Sequence, residues 1–292
     1  MKRKFRLTEY RGFTLVEMMV SLVISSLVIA SAFLTYNLHH NTFTTESQIT
    51  DMQYAGSTAM DIITKDIRES GFGVPDSPNI NGQTTSFDFT DAGVDSGPDS
   101  FIVLGGFRKV GEVNGAVNPG ATTFEITYEP GAPTLNATTR GYITLDGLTY
   151  LDITSVSGTT ITVSGSTPVD RYYPSKRCVY LIENVAYFVN GNILYRSSPT
   201  YNTANDVNGD GYGDQPIADN VDDLQLSEID SDGDGVTDKV KVSLLARTER
   251  EVMNAVQPDA ASVVLENNTT GSNDFFRRRV LQMEVSLRNP VR

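Results

Sequence analysis

Two short stretches carry residue types at the spacing that would hold a hard cation. They are Asp206-Val207-Asn208-Gly209-Asp210-Gly211-Tyr212-Gly213-Asp214 and Asp230-Ser231-Asp232-Gly233-Asp234-Gly235-Val236-Thr237-Asp238. Each offers side-chain oxygens at loop positions 1, 3, 5 and 9, and a glycine at position 6. Tyr212 and Val236 supply backbone carbonyls at position 7. Oxygens so spaced wrap a calcium ion, and the glycine makes the sharp turn that brings them to one centre. A third residue, Glu17, stands where a carboxylate is costly. It opens an apolar run, and an acid within a membrane helix costs on the order of 2.5–3.5 kcal/mol on insertion scales. A charge in that place is worth keeping only if a cation meets it at a dry interface.

Both acidic loops depart from the EF-hand pattern at position 12, where Ile217 and Lys241 replace the bidentate glutamate. Neither lies between two predicted helices. Further oxygens must come from Asp219, Asp222 or Asp223, or from water, so the expected affinity is weak, about 10⁻⁴–10⁻³ M. Calcium is therefore the expected cofactor, at one or two sites. The alternative is a pair of solvated Asp-Gly hairpin turns.

Other chemistry is excluded by what the chain lacks. Cys178 is its one cysteine, which rules out an internal disulfide and a cysteine metal cluster. Its two histidines, His39 and His40, are adjacent, leaving no Ser-His-Asp triad elsewhere and no zinc site built on separated histidines. Leu104-Gly105-Gly106 lacks the Lys-Ser/Thr of a phosphate loop and reads as a turn. No carboxylate pair is singled out for catalysis, and the chain is read as a non-enzyme. The 292 residues carry 23 Lys+Arg and 36 Asp+Glu, unevenly distributed. Residues 1–12 are net +4, and the remaining 280 are net −17. So acidic a body repels phosphate backbones, and no direct nucleic-acid partner is expected.

The basic stretch (Lys2, Arg3, Lys4, Arg6, Arg11) precedes an apolar run at 18–34 that contains thirteen apolar residues and four serines. No Asp, Glu, Lys or Arg lies between Glu17 and Glu46. A helix over 13–36 would be roughly 36 Å long, enough to cross a hydrocarbon core of about 30 Å. Positive charge before the span places the N-terminus in the cytoplasm and the rest in the exported compartment. Three segments fit this pattern: a secretory signal cut at Ala30-Ser31-Ala32, a plain signal anchor, and a leader whose Glu17 is used later.

The stretch Arg11-Gly12-Phe13-Thr14-Leu15-Val16-Glu17 resembles the class III signal of type IV pilins and type II secretion pseudopilins. The resemblance implies cleavage by a prepilin peptidase between Gly12 and Phe13 and N-methylation of Phe13. It makes Glu17 the assembly glutamate, pairing with the α-amino group of a neighbouring subunit.

Beyond Phe43, apolar or small residues recur as Met52, Ala55, Ala59, Ile62/Ile63 and Ile67, at helical spacing. Asp51, Asp61, Lys65, Asp66, Arg68 and Glu69 occupy the polar positions, and Gly71, Gly73 and Pro75 end the pattern. Gly56 is a candidate bend. The histidine pair reads as interfacial padding, and Cys178 as a small core residue. From residue 76 the texture turns to β. Strands are predicted at 101–104, 122–128, 142–145, 150–156, 159–163, 179–182, 185–189, 193–196, 224–229, 240–245 and 280–287. Asn190-Gly191-Asn192 marks a tight hairpin. Arg277-Arg278-Arg279 is expected to meet acids at a sheet edge or subunit contact.

The predicted fold class is α+β and pilin-like: a long N-terminal helix, its first half transmembrane, packed on a β-rich C-terminal domain. The expected divisions are 1–12 leader, 13–72 helix (13–36 transmembrane, 37–72 amphipathic) and 73–292 exported globular domain. Residues 51–73 and the tail from Phe276-Arg277-Arg278-Arg279-Val280 to Ser286-Leu287-Arg288-Asn289-Pro290 resemble the PilW family of minor pilins. That resemblance implies a low-abundance subunit that initiates or caps a type IV pilus, with other minor and major pilins as partners. It implies a single pass through the inner membrane, a periplasmic domain, and location in the pilus after assembly. Filaments of this kind serve adhesion, motility, DNA uptake or secretion. The alternatives are a J-type minor pseudopilin of type II secretion, or a membrane-anchored calcium-binding adhesion module.

Overall fold

The computed structural model describes residues 13–75, 78–80, 82–93, 97–138, 141–165, 169–199, 203–251, 263–265, 268–270 and 276–291. The expected leader, Gly12 included, lies outside the described residues. The chain divides into two compact units, residues 1–49 and 50–292. Helix α1 (Leu15–Glu69) runs from the first into the second, beginning and ending within three residues of the predicted bounds. Within the first unit the described residues are essentially helix alone, and nearly every side chain is exposed.

In the second unit α1 buries Met52, Gly56, Ala59, Met60, Ile63, Thr64, Asp66 and Ile67. The predicted apolar stripe is the buried face, with Ala55 and Ile62 half-buried at its margin. Gly56 lies on the buried face of α1, which runs through it unbroken. It is a contact point, where a Cβ would come within 2.7 Å of Leu281 Cδ1.

The strands are β1 (Phe87–Thr90), β2 (Ser100–Asn114), β3 (Thr123–Tyr128), β4 (Tyr142–Thr144), β5 (Leu151–Ser157), β6 (Thr160–Val163), β7 (Cys178–Asn190) and β8 (Ile193–Ser198). After a short 3-10 turn follow β9 (Gly213–Asp219), β10 (Val221–Ile229), β11 (Thr237–Arg247), β12 (Val263–Leu265), β13 (Asn268–Thr270) and β14 (Arg278–Val291). Nine form one sheet in the order β1-β2-β3-β6-β5-β4-β7-β8-β9, with β2 also paired to β7. That extra pairing closes β2, β3, β6, β5, β4 and β7 into a ring of antiparallel partners. The ring is filled by Val110, Val113, Phe124, Ile126, Ile143, Ile153, Ile161 and Leu181. The other halves of β2 and β7 continue, with β1, β8 and β9, into an open sheet. A separate sheet, β10-β11-β14, and the buried face of α1 share one apolar core with it, centred on Ile63, Ile67, Phe101, Tyr187, Leu224, Leu244 and Val285. Two long strands therefore serve two cores.

Three sequence readings are corrected. Leu104-Gly105-Gly106 is not a turn but the middle of β2, where the register shifts between Gly105 and Arg108. The glycines are there for close approach. A Cβ at Gly105 would lie 2.8 Å from the Glu69 carbonyl oxygen, and one at Gly106 would lie 2.8 Å from Phe72 Cδ1. The amide of Gly71 donates to Leu104 O at 2.8 Å and that of Gly106 to Phe72 O at 2.9 Å, tying the helix end to the strand. Asp66, placed on the polar face, is in fact buried. Cys178 is half-buried rather than core.

Candidate functional site

At the start of α1, Thr14 and Glu17 form a capping box. The amide of Thr14 donates to Glu17 Oε2 at 2.9 Å, its hydroxyl donates to the same oxygen at 3.0 Å, and the Glu17 amide donates to Thr14 Oγ1 at 3.2 Å. This arrangement satisfies backbone donors that a helix start leaves without partners. Glu17 Oε1 receives no hydrogen bond among the described residues, so the carboxylate retains an oxygen for another cation. Phe13 beside it is 83% exposed.

The hydroxyls of the apolar run turn back on their own helix. Ser21, Ser26 and Ser31 donate to the carbonyls of Glu17, Val23 and Val28 at 2.7–2.9 Å, and Thr35, Thr42, Thr44 and Thr45 do likewise. A hydroxyl so bonded exposes little polarity, and the helix presents an apolar surface on every side. Among the described residues α1 is the one helix long and apolar enough to cross a membrane.

The two acidic loops are built alike. In both, the position-1 carboxylate accepts the amides of the two glycines. Gly209 and Gly211 donate to Asp206 at 2.6 and 3.0 Å, and Gly233 and Gly235 donate to Asp230 at 2.7 and 2.8 Å. Position 5 donates to position 3 and position 7 to position 5: Asp210 to Asn208, Tyr212 to Asp210, Asp234 to Asp232, and Val236 to Asp234. Position 9 accepts the position-2 amide, Val207 to Asp214 at 2.5 Å and Ser231 to Asp238 at 2.9 Å. All four glycines have φ between 79° and 86°, which only glycine adopts without strain.

Carboxylate oxygens of Asp230, Asp232 and Asp238 lie within 4.8 Å of one another. The glycine amides hold the Asp230 carboxyl below its usual range. The Asp232 carboxyl is raised. The Asp234 amide pulls it down, but the charges of Asp234, Asp238 and Asp230 and partial desolvation outweigh that.

Of the proposed outer ligands, Asp222 is engaged elsewhere. Arg278 Nε reaches its Oδ2 at 2.6 Å, and Arg247 Nη1 and Asn192 Nδ2 reach its Oδ1 at 3.1 and 3.2 Å. Arg278 thereby meets the acid expected for the arginine run, and Arg247 stacks on Phe276 at 4.5 Å. Asp223 is fully buried within β10, against Gln225. Asp219 stays exposed on β9.

A buried cluster escaped the sequence reading. Asp66 Oδ2 accepts Tyr187 OH at 2.5 Å and Arg196 Nε at 2.8 Å. Burial, with the Asp66 charge beside it, holds the Tyr187 phenol well above its usual range. The cluster joins the helix to β7 and β8, and a lone Asp on a helix carries no sequence signal of partners more than a hundred residues away.

Residues 8–33 match the prokaryotic N-terminal methylation motif. No curated protein and no solved structure matches the chain. The motif is the class III prepilin leader, and with the apolar helix it supports a membrane-anchored, type IV pilin-like or pseudopilin protein. The leader implies processing by a prepilin peptidase and assembly with other pilins. Pilins, which carry this motif, are a structural subunit family that is typically non-enzymatic, and the long apolar N-terminal helix followed by a β-rich domain is consistent with their α+β fold.

Proposed function

We propose that this protein is a minor pilin, a low-abundance subunit that helps initiate or cap a type IV pilus and is stabilised by calcium at its acidic loops. The observation that carries the reading is the N-terminus. A carboxylate is held at the first turn of an exposed apolar helix, directly after the processing point implied by the methylation motif. Cleavage between Gly12 and Phe13 creates an α-ammonium group at Phe13. In an apolar filament core, that group on one subunit is the cation that compensates Glu17 on the next, because charge pairing is strong where water is excluded. The minor rather than major role rests on the PilW-like stretches 51–73 and 276–290. The domain stays on the exported side and the helix in the inner membrane until assembly draws it into the pilus.

The test is Glu17→Ala in a strain with no other copy. Membrane insertion and domain folding should be unchanged, and pilus number should fall to the level of the deletion strain. Wild-type pilus counts would contradict the proposal.

A further inference from the structure

We propose that the two acidic loops are unequal, and that the loop at 206–214 is the principal calcium site, where the ion compensates a carboxylate already buried by the fold. This rests on the calcium reading above and adds to it which loop binds, why, and what binding fastens. The deciding residue is Asp214, at loop position 9. It is 3% exposed, whereas the rest of its loop lies mostly at the surface. Its Oδ2 accepts the amides of Val207 and Asn208 at 2.5 and 3.3 Å, which turns the carboxylate toward the loop. Its Oδ1 is buried and has no hydrogen-bond partner among the described residues. No Lys or Arg pairs with Asp214 among those residues either. A carboxylate oxygen in that position is strongly disfavoured unless a cation lies against it.

The oxygens that would complete the shell belong to the same loop. Asp206 spends one amide bond on each of its carboxylate oxygens, so both keep lone pairs. Asp210 is steadied by Ser197 Oγ of β8, which donates to its Oδ2 at 3.1 Å, and by Asn208 Nδ2 at 3.0 Å. With the Tyr212 carbonyl the donors are all oxygen, the set that suits calcium rather than zinc or copper. Asp214 is also the second residue of β9, directly opposite Ser197 of β8. β9 is the last strand of the nine-stranded sheet, so an ion held on Asp214 by its loop fastens the sheet edge to the loop before it. The loop at 230–238 shares the backbone-amide bonds to positions 1, 3 and 5 and the position-2 to position-9 bond, but it lies at the surface, and Asp238 at its position 9 is only half-buried. Water can solvate that cluster, and it binds more weakly.

The loops can be told apart spectroscopically. Tyr212 stands at position 7 of the first loop and Val236 at the same position of the second, and the chain has no tryptophan. Terbium, a calcium substitute excited through a nearby tyrosine, should therefore luminesce chiefly from 206–214. Full-length protein in detergent micelles, cleared with chelator, is titrated with terbium and back-titrated with calcium, and its melting curve is recorded in calcium and in chelator. The wild type should luminesce, lose the signal to calcium, and melt higher in calcium. Tyr212→Phe should lose most of the luminescence but keep the calcium-induced rise, since its ligand is a backbone carbonyl.

Asp214→Asn should weaken terbium binding at least tenfold. It should also close the gap between the two melting curves by raising the one in chelator. Asp210→Ala, at the exposed rim, should give the same loss of terbium without touching the buried position, and Asp232→Ala should leave luminescence unchanged. Wild-type luminescence in both Asp214→Asn and Asp210→Ala, or its loss in Asp232→Ala, would overturn the assignment of the loop while leaving calcium binding intact. A wild type with neither luminescence nor a calcium-dependent melting curve would overturn the calcium reading itself.

Discussion

Residues 15–49 and 50–69 belong to one continuous helix and solve opposite problems. In the first stretch Leu22, Leu27, Ile29, Phe33 and Leu34 are each more than 60% exposed, and the hydroxyls bond to carbonyls of their own helix. In the second, Ile63 and Ile67 are fully buried, and the polar groups reach across to other elements. Thr64 Oγ1 contacts Met283 Sδ at 3.0 Å, and Asp66 meets Tyr187 and Arg196. A helix that satisfies itself and leaves its apolar surface uncovered is made to be solvated by lipid or by other helices. A helix whose polar groups depend on distant partners is made to be fixed in one place. The same secondary structure is thus an interchangeable surface in one stretch and a specific one in the other.

That contrast can be broken at several points. The largest effect is expected at Asp66→Ala, which removes the buried acceptor shared by Arg196 and the Tyr187 hydroxyl. Losing one member of such a cluster costs about 3–5 kcal/mol, which should appear as an earlier denaturant midpoint for the full-length protein in micelles, with membrane insertion unchanged. Next comes Gly105→Ala. The added Cβ meets a backbone carbonyl that cannot swing aside, and overpacking of this kind costs roughly 1–3 kcal/mol by the same measurement.

Gly56→Ala is the sharper comparison. Its clash is with the far end of Leu281, a half-buried side chain that can rotate, and alanine gains about 1 kcal/mol of helix propensity. The two terms offset, and the midpoint should stay within about 1 kcal/mol of wild type. The smallest effect is expected at Ser26→Ala, whose hydroxyl, among the described residues, bonds only to Val23 O. Membrane insertion and domain stability should both remain within about 0.5 kcal/mol of wild type, as for substitutions away from special features.

How far the sequence reveals these features depends on the range of the interactions. The apolar run, the stop at Gly71 and the alternating strand around Leu281–Leu287 are local patterns, and each element stands where its pattern places it. The hairpin at Asn190-Gly191-Asn192 is also local: Asn190 pairs with Ile193, and Gly191 and Asn192 both take positive φ. Gly105-Gly106 misleads because glycine commonly marks a turn, while here it makes room for the end of a helix distant in sequence. The closure of six strands into a ring depends on β2 pairing with β7, about eighty residues away in the chain, and no periodicity reports it. The acidic loops were legible as a spacing. The burial that distinguishes Asp214 from Asp238 was not, since both stand at the same position of the same pattern.

The central claim is that the chain enters the membrane as a prepilin, and the mature N-terminus tests it most directly. Intact mass is to be measured on protein purified from cells with and without prepilin peptidase. With the peptidase, the mass should correspond to a chain beginning at N-methylated Phe13; without it, residues 1–12 should remain and the methyl group should be absent. A mature chain beginning at Phe33, whatever the state of the peptidase, would establish ordinary signal-peptide cleavage after Ala30-Ser31-Ala32 and contradict the account.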